Sequence, residues 1–289
     1  MKMKARIVPG DHRTIASYYE ETWLDYRMIW LNRVNRAIHL GYWDEKTKSH
    51  SDSLVNMNRV LAGNIRPAPG QRILDAGCGV GGTAMWLAEN YDIRVVGITV
   101  TPDQVVRARR YAEERGLSHR VSFGLQDYCR TAFPDASFEV VYGLESICYA
   151  VNKRDFLADA YRLLKPGGRL VVQDGFRVER PYSDEEQRLQ ESWLSGWVVP
   201  NLATREEFAR WASEVGFADV EDRDCTDAVR PSCRRLYRVT MACYPAAVAL
   251  HRMGARSDIQ QGNVRAARDQ YRALLRGLWG YGIVTANKP

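Results

Sequence analysis

Ten residues, Ile73-Leu74-Asp75-Ala76-Gly77-Cys78-Gly79-Val80-Gly81-Gly82, restrict the fold more than any other stretch of the chain. An apolar run ends in an acid, glycines follow, and a helical pattern begins at Ala84, so a strand feeds a helix through a turn in which no Cβ obstructs the backbone. Gly77, Gly79 and Gly82 satisfy G-x-G-x-x-G, which brings a dinucleotide fingerprint into consideration. Two residues argue against it. Asp75 puts a carboxylate where a pyrophosphate would be repelled and where an ammonium or the surroundings of a sulfonium are welcome. The next apolar run ends in Thr99, without the acid that a nicotinamide cofactor's ribose requires about 20 residues on. A turn of purely structural purpose is the weaker alternative, because strand, acid, glycines and helix come in the right order.

From Arg72 the chain alternates short apolar runs with amphipathic segments, the pattern of βαβ units and a parallel sheet. Strands are predicted at 72–76, 94–99, 121–125, 138–143 and 169–173, with helices at 84–90, 102–115 and 153–164, the last stopped by Pro166-Gly167-Gly168. Beyond them, 204–215 reads as a helix, 219–224 as a strand, 244–255 and 264–277 as helices, and 281–286 as a final strand. Upstream, Ile15, Tyr18, Tyr19, Trp23, Tyr26, Ile29, Trp30, Val34 and Ile38 recur at helical spacing over 12–40, and 54–63 reads as a helix ended by Gly63 and Pro67. The expected organisation is an N-terminal helical cap (1–51), a cofactor-binding core (52–226), a helical lid (227–278) and the core's last strand (279–289). Cap and lid would meet over the sheet's carboxyl edge, where such sheets bind ligands.

Composition excludes several alternatives. Lys and Arg number 41 against 35 Asp and Glu, a net charge of +6, but the basic residues are dispersed among acids apart from Arg230, Arg234, Arg235 and Arg238. That dispersion favours solvated helix faces over a nucleic-acid stripe. No N/D-P-P-Y motif marks a nucleic-acid methylase. The start MKMKARIVPGDHRT lacks the apolar stretch of a secretory signal, and 239–250 is too short to span a bilayer. Cys78, Cys129, Cys148, Cys225, Cys233 and Cys243 form no C-x-x-C pair, so no metal site or disulfide framework is expected and free thiols in the cytoplasm fit better.

Over roughly residues 52–174 the sequence resembles the class I S-adenosylmethionine-dependent methyltransferases: LDAGCGVGG, VVGITVTPDQ, LQDY, FPDASFEVVYGLES and LLKPGGRL stand in the family's order. The resemblance implies a Rossmann-like, doubly wound, mostly parallel seven-stranded α/β sheet with N-terminal helices and a lid inserted before the last strand. It also implies S-adenosylmethionine as cofactor, leaving S-adenosylhomocysteine. Carried over by position, Gly77 and Gly79 line the methionine part, with Asp75 orienting its amino group. Thr99 and Gln104 lie near the ribose, Asp127 and Tyr128 near the adenine, and Leu144 under the cofactor. Thr99 stands where many members have an acid, with Asp103 or Gln104 as substitutes.

HLGYWDE (39–45), GITVTPDQ (97–104) and LESICYA (144–150) look like the group of tocopherol, sterol side-chain and prenyl-diphosphate methyltransferases and related bacterial natural-product enzymes. Tyr149 replaces the His common in that group, which transfers the role of base to Glu145; the candidate catalytic residues are Glu145, Tyr149 and Tyr19. The bland alternative is that Glu145 only binds cofactor or backbone. Tyr18, Tyr19 and Trp43 are expected in the acceptor pocket, where electron-rich rings attract a sulfonium or carbocation, whereas the other aromatics read as helix packing. His39, without a visible partner, reads as structural. Guanidinium groups at Arg234 and Arg235 suit an anionic headgroup such as a diphosphate. The expected partner is a lipophilic small molecule, neither nucleic acid nor a spanned membrane, with methylation of an isoprenoid alkene carbon leading and O- or N-methylation behind; a homo-oligomer stays open.

Overall fold

The computed structural model describes residues 10–29 and 35–289. Helices α1 (His12–Ile29) and α2 (His50–Ile65) precede β1 (Arg72–Ala76), α3 (Gly82–Asn90), β2 (Arg94–Thr99), α4 (Pro102–Glu114) and β3 (Val121–Leu125). Then follow β4 (Phe138–Leu144), α5 (Lys153–Leu163), β5 (Leu164–Arg177), α6 (Asp184–Gly196) and α7 (Arg205–Val215). β6 (Ala218–Asp224), α8 (Thr226–Arg252), α9 (Asp258–Leu275) and β7 (Trp279–Asn287) complete the chain.

The seven strands lie in the order β3-β2-β1-β4-β5-β7-β6, with β1 to β5 parallel and β7 antiparallel to both its neighbours. Adjacent residues feed opposite faces. Ile73 and Val95 pack against Leu61, Ala84 and Ala108 from α2, α3 and α4 on one side. Leu74 and Val141 pack against Phe156, Ala160 and Phe208 from α5 and α7 on the other. The order reverses direction between β1 and β4, which opens a crevice at their carboxyl ends.

Over that edge lies a layer of helices. α9 packs on α6, α8 and α1. α6 comes closest, because a Cβ on Gly196 would stand 2.5 Å from the carbonyl oxygen of Gly262.

Several elements differ from the sequence reading. α6 was not anticipated, although Ser183 and Glu186 form a capping box at its start. α2 runs through exposed Gly63 to Ile65 and closes at Arg66 in the left-handed region (φ 55°). α8 begins at Thr226 rather than at 244 and continues past Pro231 and Pro245. α1 stops at Ile29, and Ile38 sits in a loop; Trp30 and Val34 of the aromatic stripe lie outside the described residues.

Candidate active site

The turn after β1 is built by hydrogen bonds across to β2: the backbone N–H groups of Gly77 and Cys78 both donate to Ile98 O (2.9 Å). Gly77 has φ 100°, and a Cβ there would meet Ser146 Cβ at 2.3 Å, so only glycine lets this turn pass beneath the end of β4. The space so preserved is a cleft with about 940 Å³ of empty space, part of it open to solvent, lined by Gly77, Gly79, Thr99, Gln104, Asp127 and Tyr128. Asp75 and Leu144 line an adjoining recess with His39. All eight residues expected at the cofactor therefore gather at one place, the carboxyl ends of β1, β2, β3 and β4.

Their bonding defines what the cleft offers. Thr99 Oγ1 donates to Gln104 Oε1 (2.7 Å), which leaves the Gln104 amide nitrogen as a donor at the end of β2. Asp103 is exposed and paired with Arg107, so Gln104 is the substitute for the missing acid that lines the cleft. Asp127 Oδ1 accepts from Cys129 N–H (2.8 Å), and His12 Nε2 of α1 lies 3.3 Å from its Oδ2. Tyr128 donates its hydroxyl to Ser146 O (2.8 Å). Burial raises the Asp75 carboxyl to about 7, with the nearby Tyr142 hydroxyl partly offsetting it. His39 Nδ1 donates to Leu40 O (2.8 Å), burial lowers the ring to about 4, and Nε2 has no partner among the described residues. A neutral His39 of this tautomer presents a lone pair, so the recess holds a carboxyl and a ring nitrogen able to accept from an ammonium. The donor at Gln104, the acceptor at Asp127 and the open glycine turn suit a nucleoside with an amino-acid tail.

Glu145 follows β4 and lines this cleft, the recess and a second cleft. Its φ is 51°. Leu40 N–H donates to both carboxylate oxygens (2.9 and 3.1 Å), and the Tyr281 hydroxyl donates to Oε1 (3.1 Å). Burial, with the negative Asp174 nearby, raises the Glu145 carboxyl to about 8. Tyr19 and Tyr149 line both clefts as well, the Tyr19 hydroxyl donating to that of Tyr149 (3.1 Å). The three expected catalytic residues thus stand where the clefts meet.

The second cleft holds roughly 1380 Å³ of empty space, part of it open to solvent, and its walls include Tyr26, Trp193, Trp197, Leu236, Trp279 and Tyr281. Trp193 Nε1, Trp197 Nε1 and Gln270 Oε1 in these walls have no partner among the described residues. Arg256 is the one arginine of the lining among the described residues, and both its terminal nitrogens bond Asp25 (3.1 and 2.7 Å).

Four expected acceptor residues lie elsewhere. Tyr18 is fully buried and donates to Asn263 Oδ1 (2.8 Å), which fastens α1 to α9. Trp43 Nε1 donates to Ser232 Oγ (2.9 Å) and ties its loop to α8. Neither residue lines a cleft, and neither does exposed Arg234 or half-buried Arg235. In their place stand Tyr26, Trp193, Trp197 and Tyr281. Helical spacing pointed to Tyr26 as packing, and nothing local marks the other three.

Among the described residues no group of three His, Cys, Asp or Glu is placed to hold a metal ion, and no helix is long and apolar enough to cross a membrane.

Relatives agree with this geometry. Residues 73–168 match the family profile described as a methyltransferase domain. The 27-O-demethylrifamycin SV methyltransferase of Amycolatopsis mediterranei is 30% identical over 254 residues, covering 87% of this chain and 90% of that protein. The O-methyltransferase cnsE of Penicillium expansum is 32% identical over 199 residues, covering 68% and 71%. Among solved structures, the [4+2]-cyclase SpnF shares the fold with a TM-score of 0.81 at 23% identity, covering 98% of both chains. The geranyl diphosphate C-methyltransferase of Streptomyces coelicolor A3(2) shares it with a TM-score of 0.74 at 19% identity, covering 99% of this chain and all of that one. On its motifs, its fold, its clefts and these relatives, the chain belongs to the class I S-adenosylmethionine-dependent methyltransferases and uses S-adenosylmethionine as its cofactor.

Proposed function

We propose that the protein methylates a hydroxyl oxygen of a bulky lipophilic small molecule, with Glu145 as the general base. The observation that carries the reading is the position of Glu145: one half-buried carboxylate shared by the first cleft and the apolar second cleft. When bound, S-adenosylmethionine supplies an electrophilic methyl on a sulfonium. Gly77, Gly79, Asp75, Gln104, Asp127 and His39 would hold it. Glu145, fixed by the Leu40 amide and the Tyr281 hydroxyl, takes the proton of an acceptor hydroxyl entering from the second cleft. Tyr19 and Tyr149 close the junction against water, so the acceptor meets the methyl in a dry, oriented site. Trp193 Nε1 and Gln270 Oε1 offer one donor and one acceptor for the polar groups of an otherwise apolar ligand.

An isoprenoid diphosphate fits this cleft less well than the sequence implied, because Arg256 is occupied by Asp25 and Arg234 and Arg235 do not line it. Methylation of an uncharged isoprenoid alkene remains a second reading, favoured by the electron-rich rings of Tyr19, Tyr26 and Tyr149 in the lining of the second cleft, since such rings attract a carbocation. The 24-methylenesterol C-methyltransferase 2 of Arabidopsis thaliana, 32% identical over 179 residues and half covered, supports it too. Incubating the protein with isotopically methyl-labelled donor and a panel of lipophilic alcohols, phenols and polyenes, then locating the label by mass spectrometry and NMR, decides between them. Label on oxygen is the expected outcome; label on carbon assigns the second reading, and S-adenosylhomocysteine formed from neither class overturns both.

A further inference from the structure

The outward face of α8 has no part in the site above. Its inward residues Leu236, Thr240 and Ala247 wall the second cleft. On the opposite side Arg234, Arg238, Met241, Pro245, Ala249, Arg252 and Met253 are all exposed, and at 3.6 residues per turn they fall within an arc of about 120°. Two features set this face apart. Residues 239–250 contain no charge, yet Met241, Ala242, Pro245, Ala246, Ala249 and Leu250 are exposed, so a helix surface of the kind ordinarily packed inward faces water. Moreover, residues 228–257 contain six arginines and no acid. Arg230 and Arg256 are paired with Asp227 and Asp25, whereas Arg234, Arg238 and Arg252 have no acidic partner among the described residues.

Apolar surface bordered by unpaired guanidinium groups is the composition of a helix lying in a membrane interface, where anionic headgroups attract the charges and the apolar side chains enter the acyl boundary. We propose that α8 docks this face on an anionic lipid surface and that the acceptor enters the second cleft from the lipid. The cleft opens there: Met28, 76% exposed, and exposed Cys243 both line it, so its mouth lies beside the apolar run. A second copy of the chain is a poor occupant, since a two-fold contact through this face sets arginines against arginines. Nucleic acid would engage the arginines and leave the methionines, proline and alanines unused. The docking itself is independent of the proposed reaction; only the entry of the acceptor rests on its being lipophilic.

Co-sedimentation of the full chain with phosphatidylcholine vesicles, with and without phosphatidylglycerol, tests the docking without reference to turnover. Binding to the anionic vesicles alone, lost at high salt, is expected. Arg238→Gln/Arg252→Gln is expected to weaken it by roughly tenfold or more, and Leu250→Asp/Met253→Asp comparably. Calorimetric binding of S-adenosylhomocysteine is expected to be unchanged in both variants, which shows that fold and first cleft are intact. Failure to bind anionic vesicles at low salt, or binding by both variants as tight as that of the wild type, overturns the proposal. Self-association that Leu250→Asp/Met253→Asp abolishes, or preferential binding of an RNA oligomer through Arg238 and Arg252, would give the face to another partner and overturn it as well.

Discussion

Glu145 is constrained in both its backbone and its carboxylate. A non-glycine residue at φ 51° costs on the order of 1 kcal/mol or more, and it persists here because the chain grips it at both ends. Its backbone N–H donates to Gln173 O (2.8 Å), and its carboxylate is held by Leu40 and Tyr281. Replacing it by Gln keeps an acceptor for the Leu40 amide but removes the base. Turnover is expected to fall by about 10²–10⁴-fold while S-adenosylhomocysteine still binds in calorimetry; near-normal turnover would sink the assignment. Because the base must be ionised, wild-type kcat/KM is expected to rise through about pH 8, and that limb is expected to vanish in Glu145→Gln. Stability runs the other way. Glu145 (about 8), Asp75 (about 7) and Asp174 all have raised carboxyls, so the folded chain binds more protons than the unfolded one between the ordinary carboxylate range and pH 8. Their contribution is complete below about pH 4 and shrinks as pH rises to about 8. Fluorimetric melting across this window is expected to show a smaller decline for Glu145→Gln than for wild type. Glu145 and Gly77 were legible because their meaning is local, an acid after a strand and glycines in a turn. Tyr281 was not, since it reaches Glu145 across 136 residues of sequence.

Among the elements, α1 contributes to the walls of both clefts. His12 lies against Asp127, Tyr19 against Tyr149, and at its far end Asp25 accepts from Arg256 and from Asn263 Nδ2 (3.1 Å). Arg256→Ala leaves Asp25 partly buried without its cation. It is expected to destabilise the protein by about 1–3 kcal/mol and to speed amide exchange in α1 before the rest of the molecule, measured by hydrogen–deuterium exchange. Equal protection of α1 in the variant would show that packing, and not this ion pair, holds the helix. The turn after β1 gives a second case: Gly77→Ala must relieve the 2.3 Å approach to Ser146 Cβ, and a drop in both melting temperature and S-adenosylhomocysteine affinity is expected. Elements with a strong period or a glycine stop were readable within a residue or two, as β1, β2, β3 and α4 attest. α6 was missed because its helical stripe is thin and its clearest signal is a cap. The sequence reading starts α8 at 244, whereas packing on α9 sustains one helix from Thr226 through both Pro231 and Pro245.

At the scale of the molecule, the alternation of strands and helices made the sheet and its crevice readable from sequence. A cap and a lid over that crevice were expected too, but the place of α6 among α1, α8 and α9 was not, because no periodicity records which helices face one another. The sheet depends on β7, which bonds β5 over residues 279–287 and is β6's partner on the other side. Deleting residues 279–289 removes the strand and Tyr281 together; loss of the cooperative thermal transition is expected, and its survival would show that β1 to β5 with their helices stand alone. The same wiring bears on how the protein is made. The strands that cradle the nucleoside emerge from the ribosome early and can pair as they appear, but β6 waits without a neighbour while α8 and α9 are synthesised. Glu145 is therefore translated long before the Tyr281 that steadies it, and a nascent chain holds its glycine turn well before its base is in place.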